Sequence, residues 1–187
     1  MSMRTLTRAI APVAALVAVL ATAPLASAEG PVPTGHNTVV PGTSVELSEA
    51  GVRDAQTRAV AAENPAAVRA TASLCGSGYE LENAERLPDA RRFGTLFTYT
   101  KHTTSKDGAC AVFDNNLGTA KKMKLKLCPN LTDAPCKVDE GTFSQYAGPV
   151  KYETTGRDSV DCAEVTAIMW SSGVPIIDRV KSVAPCD

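Results

Sequence analysis

The sequence predicts a mainly β domain: a compact antiparallel sandwich or barrel of about six strands, stapled by disulfides and preceded by a short N-terminal helix or spacer. Three observations carry this. First, the stretch Leu74-Cys75-Gly76-Ser77-Gly78-Tyr79 divides the chain. Before it the sequence is alanine-rich, proline-punctuated and free of cysteine; from it onward lie all six cysteines, all four tyrosines, all four phenylalanines and the only tryptophan. Second, downstream of Cys75 the apolar residues repeat with period two, the signature of strands. Third, turn-forming residues recur at close spacing through the same region.

The N-terminus reads as a secretory signal peptide, residues 1–28. Arg4 and Arg8 form a positive start, Ala9 to Ala23 an apolar run, and Ala26-Ser27-Ala28 a small-x-small cleavage site. The run is shorter than the roughly 20 apolar residues that span a bilayer, and no second run of that length follows, so no membrane partner is expected after cleavage. The mature chain would begin at Glu29. Removing Arg4 and Arg8 from the 19 basic residues leaves 17 against 20 acidic ones. Such a mildly acidic chain has no general attraction to nucleic acid or anionic lipid.

Residues 29–70 read as a flexible linker. Pro31, Pro33, Gly35 and Pro41-Gly42 keep its first part extended. A helix is expected over 48–63, with Ser48 as cap, Glu49 in the first turn and Pro65 as stop. Its apolar stripe (Val52, Ala55, Ala59, Val60) is thin, which favours a loosely ordered spacer over a docked element.

The β domain is placed at 71–187. Phe93, Phe97 and Tyr99 share one face of an extended segment, and Cys110 to Phe113 returns alongside. Polar residues from His102 to Asp107-Gly108 make a long hairpin loop between them. Asp114-Asn115-Asn116-Leu117-Gly118 lacks the later acidic positions of a calcium loop and reads as an Asx turn. Lys121 to Cys128 alternates Met123, Leu125 and Leu127 with Lys122, Lys124 and Lys126. The lysine row could bind a polyanion. It reads better as the solvated face of a half-buried strand, where lysine also discourages edge pairing. Phe143 to Val150 reads as strand, bend and strand around Gly148-Pro149, Val160 to Trp170 as the most apolar strand, and Val174 to Val183 as its return.

The six cysteines (Cys75, Cys110, Cys128, Cys136, Cys162 and Cys186) predict three disulfides in an exported chain. Metal is disfavoured: no short paired C-x2-C spacing occurs, and the only histidines are His36, in the leader, and His102. Cys128 and Cys136 are close enough to pair with each other. Four cysteines and three pairings then remain; joining sequence neighbours selects Cys75–Cys110 and Cys162–Cys186. The loop Pro129 to Pro135 would be small and rigid, a candidate recognition loop for a protein partner.

No catalytic residue and no cofactor are nominated. The chain has no G-x-S-x-G elbow. A triad around His102 is a spatial matter that spacing leaves open, but a histidine in a polar loop reads as solvated.

From Leu74 to Cys186 the chain resembles the spore-associated protein A family, small exported proteins of spore-forming filamentous bacteria. The pieces that carry the resemblance are Leu74-Cys75-Gly76-Ser77-Gly78-Tyr79, Gly94-Thr95-Leu96-Phe97 with Tyr99, Cys110-Ala111-Val112, Asn116-Leu117-Gly118 with Met123, Phe143-Ser144-Gln145-Tyr146-Ala147-Gly148-Pro149-Val150, Cys162 and Cys186. The resemblance implies a non-enzymatic protein released from the cell and found at the spore or cell-wall surface or in the medium. It transfers no catalytic residues. Cys128 and Cys136 look like additions to the family's shared cysteines, which fits their pairing with each other.

Overall fold

The computed structural model describes residues 38–88 and 91–186; the expected signal peptide, residues 1–28, lies outside them. Three helices come first: α1 (Glu49–Arg53), α2 (Ala55–Glu63) and α3 (Pro65–Cys75). Then follow β1 (Glu80–Leu87), β2 (Gly94–His102), β3 (Asp107–Asn115), β4 (Lys121–Cys128), β5 (Lys137–Phe143), β6 (Tyr146–Thr154), α4 (Arg157–Asp161), β7 (Glu164–Ser171) and β8 (Val174–Ser182). The strands make two four-stranded antiparallel sheets, ordered β1-β2-β3-β6 and β5-β4-β7-β8, packed as a sandwich.

The first sheet is buried on both faces. Leu96, Ala111 and Phe113 pack against Leu125, Val165 and Met169 of the second sheet. On the other face Phe97, Tyr99 and Val112 are covered by Val60, Val68 and Ala72 of the helices and by Val40 and Leu47 before them. This overturns the expectation of a loose spacer over 29–70 for its described part. The helices persist because tertiary burial supplies what their thin stripe lacks alone. The Tyr99 hydroxyl anchors them: it shares a 2.6 Å hydrogen bond with Thr71 and donates to the Val68 carbonyl at 3.2 Å. The single helix expected over 48–63 is two. Ser48 caps α1 by accepting from the Gly51 amide at 3.0 Å, and Asp54 caps α2 by accepting from Thr57 at 2.6 Å. Pro65, read as a stop, occupies the first turn of α3, where its missing N–H costs nothing.

Eight strands are described where about six were expected. The additional two are β1 and β5. β1, ELENAERL, hides in the sequence because its buried polar groups look like a solvated stretch; Arg86 is buried yet pairs with Glu63 at 2.5 Å. The long hairpin loop is also corrected. β2 runs to His102 and β3 starts at Asp107, directly opposite each other, and only residues 103–106 turn. The Thr103 hydroxyl closes that turn, accepting from the Lys106 amide at 2.9 Å. In the segment read as the strand Val160 to Trp170, α4 occupies the start and β7 begins at Glu164.

The lysine row alternates with the fully buried Met123, Leu125 and Leu127, facing outward from the second sheet. Its edge-protecting role falls away, because β4 lies inside that sheet. The lysines are paired instead: Lys122 and Lys124 with Glu140 at 3.3 and 3.1 Å, and Lys126 with Glu164 at 3.9 Å.

The disulfides are Cys75–Cys110, Cys128–Cys136 and Cys162–Cys186. The first ties the end of α3 to the centre of β3. Among the described residues no helix is long and apolar enough to cross a membrane. Three disulfides are consistent with an oxidising, extracellular setting.

A half-buried carboxylate makes the fold pH-sensitive. Asp114 lies on the helix-covered face of β3, opposite Thr95 and Tyr146, and burial pushes its carboxyl up to about 6 from an ordinary 3.8. The folded chain therefore keeps a proton that the unfolded chain has already released. This contribution is fully present below pH 3.8, is lost as pH rises through about 6, and stays lost above it. Asp114→Asn is expected to leave acid stability unchanged and to stabilise near neutral pH by about 1–2 kcal/mol, allowing for the water that still reaches the group. Thermal unfolding of both proteins across that window checks the divergence.

Candidate functional site

A polar cleft of about 590 Å³ opens where α1, the start of β1, the end of β2 and α4 meet. Each wall has a local cause. In β1 the register slips: Leu81 faces Tyr99 and Asn83 faces Thr98, so Glu82 is the extra residue of a β-bulge. The bulge holds its carboxylate against the start of α1. There it accepts hydrogen bonds from Thr100 at 3.0 Å and from the Ser48 hydroxyl. Burial pushes Glu82 up from the ordinary carboxylate range, and those two hydroxyls partly offset the rise. Its neighbour Glu80 is pushed up by burial and then by the charge of Glu46, with His102 and Arg157 opposing.

Gly51 lets α1 approach this closely. A Cβ there would collide with the Leu81 carbonyl oxygen and lie 3.3 Å from that of Glu82. The chain before α1 is fastened too, the Ser48 amide donating to the Leu81 carbonyl at 3.0 Å.

His102, expected as a solvated loop residue, is indeed exposed but is the last residue of β2 and stands between two carboxylates. Its Nδ1 lies 2.9 Å from Asp107 Oδ1 and its Nε2 3.2 Å from Asp161 Oδ1. The second approach is at ion-pair distance but poorly aligned, so the buried Asp161 Oδ1 lacks a well-formed hydrogen bond. Asp161 Oδ2 accepts from Arg157 Nε at 3.1 Å, one turn back along α4. α4 in turn is held by the stapled loop, whose Asn130 amide donates to the Ser159 carbonyl at 3.0 Å. The loop that the sequence singled out as a recognition element thus rims the cleft through Asn130, with Leu131 projecting into solvent. The C-terminal residues Val183–Cys186 cross on the far side, where Val183 and Ala184 donate to the Ala163 and Asp161 carbonyls at 2.8 and 3.0 Å, and Cys186 is bonded to Cys162.

The imidazole is not arranged as in a Ser-His-Asp triad. A triad needs a hydroxyl or thiol at the free imidazole nitrogen; here both nitrogens face carboxylates. The Ser48 and Thr100 hydroxyls are committed to Glu82. Among the described residues no cluster of three or more His, Cys, Asp or Glu side chains is placed to hold a metal ion. The six cysteines are all disulfide-bonded.

Sequence reasoning missed Glu80, Glu82, Arg157 and Asp161 as a group. Glu80-x-Glu82 reads as an exposed stripe, and no local signal reports a bulge. Arg157 and Asp161 at helical spacing were the one available hint. No protein-family model matches the chain, and neither the curated proteins nor the solved structures contain a significant match to it.

Proposed function

We propose that this chain is a non-enzymatic exported protein that acts at the spore or cell surface by holding a polar ligand in the His102 cleft. One observation carries the reading. The cleft is lined by Glu80, Glu82, Ser48 and Thr100 around an imidazole flanked by Asp107 and Asp161, a dense set of hydrogen-bonding groups for a polar ligand. The secretory leader, the disulfides and the resemblance of Leu74 to Cys186 to the spore-associated protein A family support the location.

A second reading rests on the stapled loop, in which Pro129 and Pro135 flank an exposed Leu131 and the disulfide brings the loop ends within 4.1 Å, Cα to Cα. Such a loop loses little entropy on binding and could serve as the contact of a binding or inhibitory module for a protein partner.

Both readings are tested by co-sedimentation of purified Glu29–Asp187 with washed spores and with isolated cell walls. Wild type should pellet, and Asp161→Asn should weaken the binding by about tenfold or more, the loss expected for one charged hydrogen bond. Loss only on deleting Leu131 to Ala134 would transfer the role to the loop. Wild type remaining in the supernatant with both materials would remove the surface role.

A further inference from the structure

Lys181 of β8 and Asn83 of β1 face each other across the gap between the two sheets, where no backbone pairing joins those strands among the described residues. Lys181 Nζ lies 2.6 Å from Asn83 Oδ1. The Asn83 amide nitrogen is itself oriented, donating to the Thr57 hydroxyl at 3.2 Å. Glu85 stands beside the pair, one carboxylate oxygen 3.7 Å from Nζ. Arg179 fixes that carboxylate through both oxygens, Nε to Oε2 (the oxygen that faces Nζ) and Nη2 to Oε1, both at 3.1 Å. Lys181 and Glu85 are about four-fifths withdrawn from water.

We propose that Lys181 and Asn83 condense to form an intramolecular isopeptide bond that locks β8 to β1. Three conditions for the reaction are present. The nucleophile and the amide are held in contact, which supplies the orientation a bimolecular reaction lacks. The amine is poised to lose its proton: burial, and then Arg179, push Lys181 down, against Glu85 and Asp54, which push it up. Glu85 is placed to accept that proton and return it to the leaving group. The step balances. Glu85 takes one proton from the Lys181 ammonium; the neutral amine attacks Asn83 Cγ; the new Nζ–Cγ bond forms as the Cγ–Nδ2 bond breaks. Glu85 returns its proton to Nδ2 as that bond breaks, and the second proton that Nζ sheds on becoming an amide passes to the departing ammonia, so ammonium enters and ammonium leaves. No oxidant and no cofactor are required.

The bond would also serve the cleft. Lys181 is followed at once by Ser182 to Cys186, the strap on one side of the cleft, and Asn83 follows the Glu82 bulge on the other. A covalent tie here would hold both walls at fixed separation.

The test is the mass of the reduced, denatured wild-type protein together with a protease map. The expected result is a protein lighter than its sequence by one ammonia, and a branched peptide joining the Lys181 and Asn83 fragments. Lys181→Arg and Glu85→Gln should each restore the full sequence mass, with native circular dichroism showing that the fold is kept. A wild-type protein at full mass overturns the proposal. So does a loss of ammonia that persists in Lys181→Arg, which would assign it to asparagine cyclisation instead. If either variant fails to fold, the wild-type peptide map decides alone.

Discussion

Replacing Cys75 and Cys110 together by alanine is expected to lower the unfolding free energy by about 4 kcal/mol, the chain-entropy value for a loop of this length. The two residues are 35 apart in sequence and both are buried. The effect should be unevenly distributed. Cys75 is the last residue of α3 and Cys110 sits in the middle of β3, so the bond rivets the helical layer to the first sheet. Near the lost bond the Tyr99 anchor to Thr71 and Val68 and the 3.1 Å hydrogen bond from Lys151 to the Cys75 carbonyl remain, while Thr57 and Glu63 of α2 still bond to β1. Amide exchange should therefore rise first across α2 and α3 while β4 and β7 stay protected. Urea denaturation measures the total and hydrogen exchange its distribution. A change below about 1 kcal/mol would mean that apolar packing and the remaining hydrogen bonds hold the layer in place without the disulfide.

Gly51→Ala is expected to destabilise by about 1–3 kcal/mol, although alanine is the better helix former by about 1 kcal/mol. The reason is contact. The added methyl would overlap the Leu81 carbonyl oxygen, and both surfaces are backbone, so no side chain can swing aside. Relief requires α1 to retreat from the Glu82 bulge, taking the Ser48 hydroxyl with it. Glu82 would then lose one of the two hydroxyls that oppose its rise and should bind its proton more tightly still. Thermal unfolding reads the first effect, and an NMR titration of the Glu82 carboxyl the second. A variant as stable as wild type, with an unchanged Glu82 titration, would contradict the close approach.

Particular residues carry the local signals of the fold in the sequence itself. The alternation of Met123, Leu125 and Leu127 with lysines announced a half-buried strand, and β4 is that strand. The turn at Asn115 was announced by its Asx chemistry, and the Leu117 amide donates to Asn115 Oδ1 at 3.0 Å. A mainly β, three-disulfide domain followed from six cysteines in a chain read as exported and from period-two segments. These are local signals: side-chain alternation, turn chemistry and cysteine count act over a few residues or do not depend on placement.

Tertiary structure alone decided the rest. A thin apolar stripe in α2 reads as marginal until a sheet face of Phe97, Tyr99 and Val112 is laid against it. β1 reads as solvent-facing until Arg86 finds Glu63 and Lys181 finds Asn83, partners 23 and 98 residues away. His102 reads as a loop residue until a hairpin register brings Asp107 opposite it and α4 brings Asp161. In each case burial of a polar or weakly apolar segment is favourable only once a distant partner repays its desolvation. The sequence by itself determined the β class, the three-disulfide content and the local turns. The tertiary structure decided the helical layer, the bulge at Glu82 and the cleft, because those depend on contacts between residues that only folding brings together.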